Sequence, residues 1–187
     1  MGSGRGTAPG SWTGPSIFQV EGIGKSVVYV IDRSVSMGPF LKAAKRELLA
    51  SLEQLPEEVR FQVILYNRHA EPLRLRGRTD LAPATAANKR ETARLLESLP
   101  AAGSTDHLAG LRRALALRPE VSFFVTDADD LTAQQIAAVT QLNRSRTAIH
   151  TIELSRSSRG PHPDGPLALL ARHNRGTYRR VSLGGGP

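Results

Sequence analysis

Three oxygen-bearing side chains follow one apolar segment at alternate positions. The sequence VVYVIDRSVSMG places Asp32, Ser34 and Ser36 directly after the apolar run 27–31. Residues two apart in an extended chain point to the same side, so these side chains can line one wall of a crevice. A second apolar run, SFFVT, leads into Asp127. Hydroxyl and carboxylate oxygens are the ligands that suit a hard divalent cation such as Mg²⁺ or Mn²⁺.

The elements that must position these residues alternate between strands and helices. Short apolar runs predict strands over 25–31, 59–67, 70–76, 121–127, 147–154 and 177–183. Apolar residues spaced three and four apart predict helices over 40–55, within 83–100, and over 106–117, 131–142 and 166–174. This alternation favours an α/β fold in which helices cover both faces of a mostly parallel sheet. A tight connection joins the second and third strands, so we expect those two to be antiparallel.

The two most apolar strands, 25–31 and 121–127, are the candidates for central neighbours in this sheet. Ligands of such sheets bind beyond the carboxyl ends of the strands, where the strand order reverses. Asp32 and Asp127 would then meet at one crevice. Two carboxylates can share a crevice only if one takes up a proton or a cation neutralises both. The segment AAGSTDHLAGL adds Thr105 to the same edge, just before a helix.

The order Asp32-x-Ser34-x-Ser36, then Thr105, then Asp127 at the end of an apolar strand resembles the metal-ion-dependent adhesion site of von Willebrand factor A domains. The resemblance extends over about 18–183, and VYVIDRSVSMG and FFVTDADD are similar to bacterial members of the family. It implies a three-layer, doubly wound, Rossmann-like fold. The six strands would lie in the order 3-2-1-4-5-6, with strand 3 antiparallel.

The resemblance also implies a role for each residue of the pattern. Ser34, Ser36 and Thr105 would ligate Mg²⁺ or Mn²⁺ through their hydroxyls. Asp32 and Asp127 would ligate the metal directly or through water. A carboxylate of a partner protein would complete the coordination.

Two loop positions depart from the commonest pattern of that family. Val35 stands between the two serines, and Ala128 follows the last aspartate, where glycine is frequent. Neither position supplies an oxygen ligand, so the departures bear on loop shape and on the choice of partner.

Composition limits the other classes of function. The chain has 187 residues, a net charge of +8 and no cysteine, which fits one domain and excludes disulfides and thiolate catalysis. No apolar run approaches the roughly 18 residues of a membrane helix, and no signal peptide is evident, so localisation is open, with the cytoplasm only a default. We expect a flexible lead-in over 1–15, the domain over 16–183 and a tail over 184–187.

Three functions remain as hypotheses. The first is a metal-dependent protein-interaction module without catalysis or a small-molecule substrate. The second is a Mg²⁺-dependent phosphoryl-transfer or hydrolase domain at the same site; the sequence lacks a GxxxxGK[ST] loop and a GxSxG elbow, and GIGKS precedes the first strand instead of following it. The third is a nucleic-acid binder using the basic surface. Scattered basic residues and an aromatic content of 5% argue against it, so no nucleic acid is expected.

Several polar residues near the pattern have simpler interpretations. Asp106 is expected to cap the helix that follows it, and His107 to be a bystander at that helix start. Asp129 and Asp130 are expected to lie in a solvated loop. His150, inside a predicted strand, is expected to be a hydrogen-bonded core histidine.

Overall fold

Strands and helices alternate over residues 14–183, the part of the chain that this computed structural model describes. The strands are β1 (Ser16–Ile17), β2 (Val20–Glu21), β3 (Ser26–Asp32), β4 (Arg60–Tyr66), β5 (Ala70–Pro72), β6 (Ala82–Pro83), β7 (Val121–Thr126), β8 (Ala148–Ser155) and β9 (Tyr178–Ser182). The helices are α1 (Gly38–Gln54), α2 (Ala86–Glu97), α3 (His107–Ala116), α4 (Ala133–Leu142) and α5 (Pro166–His173). Nearly all of the predicted lead-in and the whole predicted tail lie outside the described residues.

The main sheet has the order β5-β4-β3-β7-β8-β9. All neighbouring pairs are parallel except β4 and β5, which are antiparallel. In chain order of the six predicted strands this is 3-2-1-4-5-6, so the predicted doubly wound fold is confirmed. The short strand β6 also pairs with β4, next to β5 at the same edge of the sheet.

The core lies on both faces of the sheet because helices cover both. Alternate residues of β3 enter different clusters: Val27, Tyr29 and Ile31 pack on the α1 side, while Val28 and Val30 pack on the side of α3, α4 and α5. This burial on both faces explains why the central strands are almost continuously apolar. Asp32 is next in the alternation, so its side chain belongs to the α3 face.

Polar side chains fix the starts of three helices. Thr85 accepts a hydrogen bond from the backbone N–H of Asn88, and Thr132 with Gln135 forms a capping box at α4. Asp106 accepts from the backbone N–H of Ala109, which confirms its predicted role as the cap of α3. Among residues 14–183, no helix is both long enough and apolar enough to cross a membrane.

Several short elements differ from the sequence-based expectation, among them β6, which was not predicted and is antiparallel to β4. β1 and β2 form an unpredicted hairpin whose turn residues, Phe18 and Gln19, have φ values of 49° and 61°. Such turns usually contain glycine or asparagine, so the sequence carries no signal for this one. β5 ends at Pro72 instead of continuing to residue 76, because the chain turns back at Arg76 and Gly77, which have positive φ values, and Leu75 pairs with Arg78.

His150 is buried in β8 beside the Phe123 ring, with the ring centroids 5.2 Å apart. Its Nδ1 accepts a hydrogen bond from the Thr177 backbone N–H at 3.1 Å, whereas its Nε2 has no partner among the described residues. The expectation of a hydrogen-bonded core histidine therefore holds for one ring nitrogen only. Burial lowers the pKa of His150 below its ordinary value of 6.5, so the folded protein keeps the ring neutral.

This depressed pKa predicts acid sensitivity. Below pH 6.5 the unfolded chain takes up a proton at His150 while the ring in the folded chain stays neutral. The unfolding free energy therefore decreases as the pH falls from 6.5 towards the lower pKa of the folded protein. We expect a His150→Gln variant, which keeps an acceptor but does not titrate, to show a shallower decrease in unfolding free energy between about pH 6.5 and pH 5. Urea denaturation across this range measures it. A slope in His150→Gln equal to that of the wild type would refute the prediction.

Candidate metal centre

Asp32 ends β3 with its carboxylate fully buried and held by two hydrogen bonds. The Ser34 backbone N–H donates to Oδ1 at 2.8 Å, and the Thr126 hydroxyl donates to Oδ2 at 2.8 Å. The first bond turns the chain immediately after the strand. The second joins the ends of β3 and β7, because Thr126 is the last residue of β7. Asp32 is thus a fixed acceptor at the carboxyl edge of the sheet.

The two serines and Asp127 form a continuous chain of side chains. Ser34 Oγ lies 3.1 Å from Ser36 Oγ, and the Ser36 hydroxyl donates to Asp127 Oδ1 at 3.0 Å. A single 3-10 turn over Val35–Met37 brings the serines to the same side. The structure therefore brings four of the five predicted site residues together through direct hydrogen bonds.

Thr105 lies on the loop between α2 and α3, which packs against the loop after β3. The Gly103 carbonyl accepts from the Val35 backbone N–H at 3.0 Å, and the Ala102 N–H donates to the Arg33 carbonyl at 2.7 Å. The structure thus carries half-buried Thr105 to the same edge. Its hydroxyl makes no hydrogen bond to another residue of 14–183, unlike the hydroxyls of the two serines.

Gly103 is required by the shape of this loop. Its φ is +77°, and a Cβ added there would lie 2.9 Å from Asn67 Nδ2, which itself donates to the Ala102 carbonyl at 2.7 Å. Gly77 has nearly the same φ, +78°, but open space around it. Comparing alanine at the two glycines therefore separates backbone strain from displacement of the loop.

We expect Gly103→Ala to lower the unfolding free energy by about 1–2 kcal/mol, because alanine is disfavoured at this φ and collides with Asn67. It should also weaken Mg²⁺ binding, because the loop that carries Thr105 must move. Gly77→Ala should lower the unfolding free energy by only about 1 kcal/mol, the cost of backbone strain alone, and should keep its metal affinity. Denaturation and calorimetric Mg²⁺ titration of both variants measure this. Equal metal affinity in the two variants would contradict it.

Negative charge is concentrated at this edge. Partial burial raises the pKa of Asp127, and the nearby Asp32 charge raises it further, against the opposing hydrogen bond from Ser36. Burial, followed by the Asp32 charge, raises the pKa of Tyr66 well above its usual value. A divalent cation would relieve this repulsion. Three hydroxyls and two carboxylates form a donor set that fits a hard cation. Residues 14–183 contain no cluster of three or more His, Asp or Glu side chains that could hold a metal, so such a centre depends on the hydroxyls.

A hydrogen-bond chain that runs from buried Tyr66 to exposed Asp130 was not predicted. The Tyr66 hydroxyl lies 2.8 Å from His107 Nδ1, and His107 Nε2 lies 2.8 Å from Asp130 Oδ1. His107 is buried and therefore not a bystander. Asp130 is exposed but paired with this histidine. Asp129 is not simply solvated either, because its Oδ1 accepts from the Leu167 backbone N–H at 2.7 Å at the start of α5. The buried tyrosine at a strand end was the available signal, since its hydroxyl needs a partner.

Comparison with known proteins agrees with this architecture. The family profile described as von Willebrand factor type A domain matches residues 25–180. A search of curated proteins gave no significant match.

Solved structures of low sequence identity share the fold. A von Willebrand factor type A protein from Catenulispora acidiphila superposes with a TM-score of 0.69 at 20% identity, covering 83% of this chain and 38% of that one. The pilus adhesin SpaC from Lactobacillus rhamnosus GG, in an open conformation, gives 0.63 at 12% identity, covering 84% and 28%. The minor pilin PilB from Streptococcus sanguinis gives 0.58 at 11% identity, covering 84% and 56%. The chain thus spans between about a quarter and just over half of the length of these proteins. On the profile match, the chain belongs to the von Willebrand factor type A family.

Proposed function

We propose that this domain binds Mg²⁺ or Mn²⁺ at the carboxyl edge of its sheet and uses the metal to hold a carboxylate of a partner protein. The proposed ligands are Asp32, Ser34, Ser36, Thr105 and Asp127. The observation that carries the proposal is the unbroken series of contacts from Asp32 through the two serines to Asp127.

The hydrogen bonds suggest different roles for the carboxylate of Asp32 and the serine hydroxyls. Both oxygens of Asp32 already accept hydrogen bonds, so this residue would act mainly by orienting Ser34 and by adding charge. The hydroxyls of Ser34 and Ser36 are neutral oxygens that suit direct ligation. A cation held largely by neutral ligands keeps much of its positive charge and attracts an anionic group from outside.

The surroundings of Ser36 support access by a partner. Ser36 is exposed, and the neighbouring Val35 is one of the large apolar side chains that face solvent, at 68% exposure. A partner carboxylate could reach the metal while an adjacent apolar group covers Val35. The shared fold with a pilus adhesin and a minor pilin supports a binding role.

The proposal includes no catalysis by this domain. His107, two residues after Thr105, has both ring nitrogens engaged, by Tyr66 and by Asp130. It therefore offers no free nitrogen as a general base. A phosphoryl-transfer or hydrolase domain would release phosphate from p-nitrophenyl phosphate in the presence of Mg²⁺, and we expect no such release above a metal-only blank.

Water relaxation with Mn²⁺ as the bound metal tests both parts of the proposal. Wild-type protein should enhance the relaxation of water protons by Mn²⁺, and saturating acetate should reduce that enhancement because its carboxylate displaces a metal-bound water. Ser36→Ala should give a much smaller enhancement. Absence of enhancement at millimolar Mn²⁺ would overturn the metal site. Enhancement that acetate leaves unchanged would overturn the carboxylate-binding role alone.

A further inference from the structure

Four arginines of the described residues occupy backbone positions that favour glycine; Arg76 lies in the turn after β5, and the other three lie together. Arg118, Arg146 and Arg175 have φ values of 50°, 57° and 57°. They lie in the turns that lead from α3 to β7, from α4 to β8 and from α5 to β9. Helices commonly end in this left-handed conformation with glycine or asparagine, because other side chains are strained there. Strained residues that persist in a fold point to a use for their side chains.

These turns lie at the amino ends of the parallel strands, opposite the proposed metal centre. With Lys25, just before β3, and Arg144, in the α4–β8 turn, the three arginines form what we call the basal patch. All five side chains are exposed. None of them takes part in an ion pair within residues 14–183.

Negative charge near the basal patch is sparse. Glu120 lines a surface depression together with Lys25, Arg146 and Arg175, but its carboxylate already accepts a hydrogen bond from the Lys25 backbone N–H. Glu57 and Glu58 lie in the α1–β4 turn, towards the other edge of the sheet, and line neither of the depressions of the patch. The patch thus has a clear excess of positive charge.

The basal patch is concave and partly apolar. One depression, of about 830 Å³, is lined by Lys25, Arg146 and Arg175 together with Ile23. A second, of about 310 Å³, contains Arg118, Arg144 and Leu142 and shares Ser145 with the first. Ile23 is 87% exposed and Leu142 48%, so two of the most exposed large apolar side chains of the described chain border these cationic depressions.

Hydrogen bonds between the turns hold the basal patch in place. The Thr147 hydroxyl donates to the Pro119 carbonyl at 2.6 Å, which ties the α4–β8 turn to the α3–β7 turn. Asn143 Nδ2 donates to Asn174 Oδ1 at 2.9 Å, which ties it to the α5–β9 turn. The cations are therefore carried by a rigid frame, which lowers the entropic cost of binding.

We propose that the basal patch docks an acidic segment of a partner protein, with carboxylates in the two depressions and aliphatic side chains against Ile23 and Leu142. Guanidinium groups bind carboxylates through paired hydrogen bonds. The protruding side chains of a peptide fit into concave depressions, whereas a flat lipid surface does not. The patch contains no aromatic side chain, such as would stack on nucleic-acid bases or anchor at a membrane interface.

The left-handed conformation of the arginines permits a test that does not rest on a destabilised variant. The triple variant Arg118→Gly, Arg146→Gly, Arg175→Gly removes three charges while placing glycine where the backbone favours it, so its Tm should equal or exceed that of wild type. The matched control, Arg74→Gln, Arg90→Gln, Arg94→Gln, removes the same charge from exposed arginines elsewhere.

The probe is a fluorescent peptide of sequence EELEELEELE, titrated in EDTA and about 150 mM NaCl, near physiological ionic strength. EDTA removes any contribution from the metal centre, so failure of the metal proposal leaves this test unaffected. We expect the glycine variant to bind at least about tenfold more weakly than wild type, and the control to change less than about threefold, as for arginines outside the interface. Phosphatidylserine vesicles and duplex DNA serve as competing ligands and should bind more weakly than the peptide.

Three results would overturn the proposal: no binding of the peptide to wild type, equal binding by the glycine variant, or arginine-dependent binding of vesicles or DNA in preference to the peptide. The last would assign the basal patch to a membrane or a nucleic acid instead.

Discussion

An Asp32→Ala variant is expected to lose Mg²⁺ affinity by at least about 100-fold, the upper range for residues that orient metal ligands. The removed carboxylate accepts from the Ser34 N–H and from the Thr126 hydroxyl. Without it, the turn that carries both serines loses its anchor, and the centre loses one of its two negative charges. Calorimetric titration of Mg²⁺ into both proteins measures the change.

The same variant should lose about 2–4 kcal/mol of unfolding free energy without metal, because two hydrogen bonds to a buried charged group disappear. Relief of repulsion between Asp32 and Asp127 offsets part of this loss. Asp130→Asn is the matched control, since it removes a carboxylate charge from the adjacent loop, where the side chain is 71% exposed. It should keep Mg²⁺ affinity within about twofold, as expected for a surface charge. Wild-type affinity in Asp32→Ala would show that the metal, if bound, lies elsewhere.

The second large effect is expected at a buried ion pair between β8 and β9. Arg180 Nε lies 3.3 Å from Glu153 Oε1, and the two side chains are 11% and 9% exposed. The Nε–H does not point at the carboxylate, but Tyr178 donates its hydroxyl to Glu153 Oε2 at 2.5 Å. Arg180 also donates to Ser155 Oγ at 2.9 Å and to the Gly160 carbonyl at 3.2 Å. It therefore fastens the loop after β8 as well as the strand pair.

Arg180→Met should cost about 3–5 kcal/mol, because it leaves the Glu153 carboxylate buried without a cation. The double variant Arg180→Met, Glu153→Leu should recover a large part of this loss, because it contains neither buried charge. Arg179→Met, on the exposed side of the same strand, should cost less than about 1 kcal/mol. Urea denaturation of the wild type, Arg180→Met, Glu153→Leu and the double variant gives the coupling energy. A double variant as unstable as the sum of its single variants would contradict this account.

That β3 and β7 are central neighbours, and that Asp32 lies near Asp127, could be predicted because these two strands are the most apolar; the full strand order was implied only by the resemblance to von Willebrand factor A domains. The hydrogen bond from the Thr126 hydroxyl to Asp32 could not be predicted in this way. Ile31 pairs with Val125 in the register of β3 and β7, so the end of β3 faces Thr126 across the sheet. Asp127 lies one residue further along and reaches the site only through Ser36. A sequence-based expectation of apolar strands does not supply this register.

Contacts between residues far apart in the sequence could not be predicted either, because they depend on which strands pair and in which register. Glu153 and Arg180 are direct cross-strand partners of β8 and β9, which becomes visible only once those strands are paired. The left-handed arginines of the basal patch carry no sequence signal, because a helix end is normally recognised by glycine or asparagine. The ligand set and the boundaries 16–183 stay predictions.

The most direct test of the proposed metal centre is a crystal structure with Mn²⁺, read from its anomalous signal. The account predicts one anomalous peak within about 2.5 Å of the hydroxyl oxygens of Ser34 and Ser36, facing Thr105, and no peak there in crystals of Asp32→Ala. A wild-type crystal in millimolar Mn²⁺ with no peak at this edge, or with its only peak elsewhere, would contradict it.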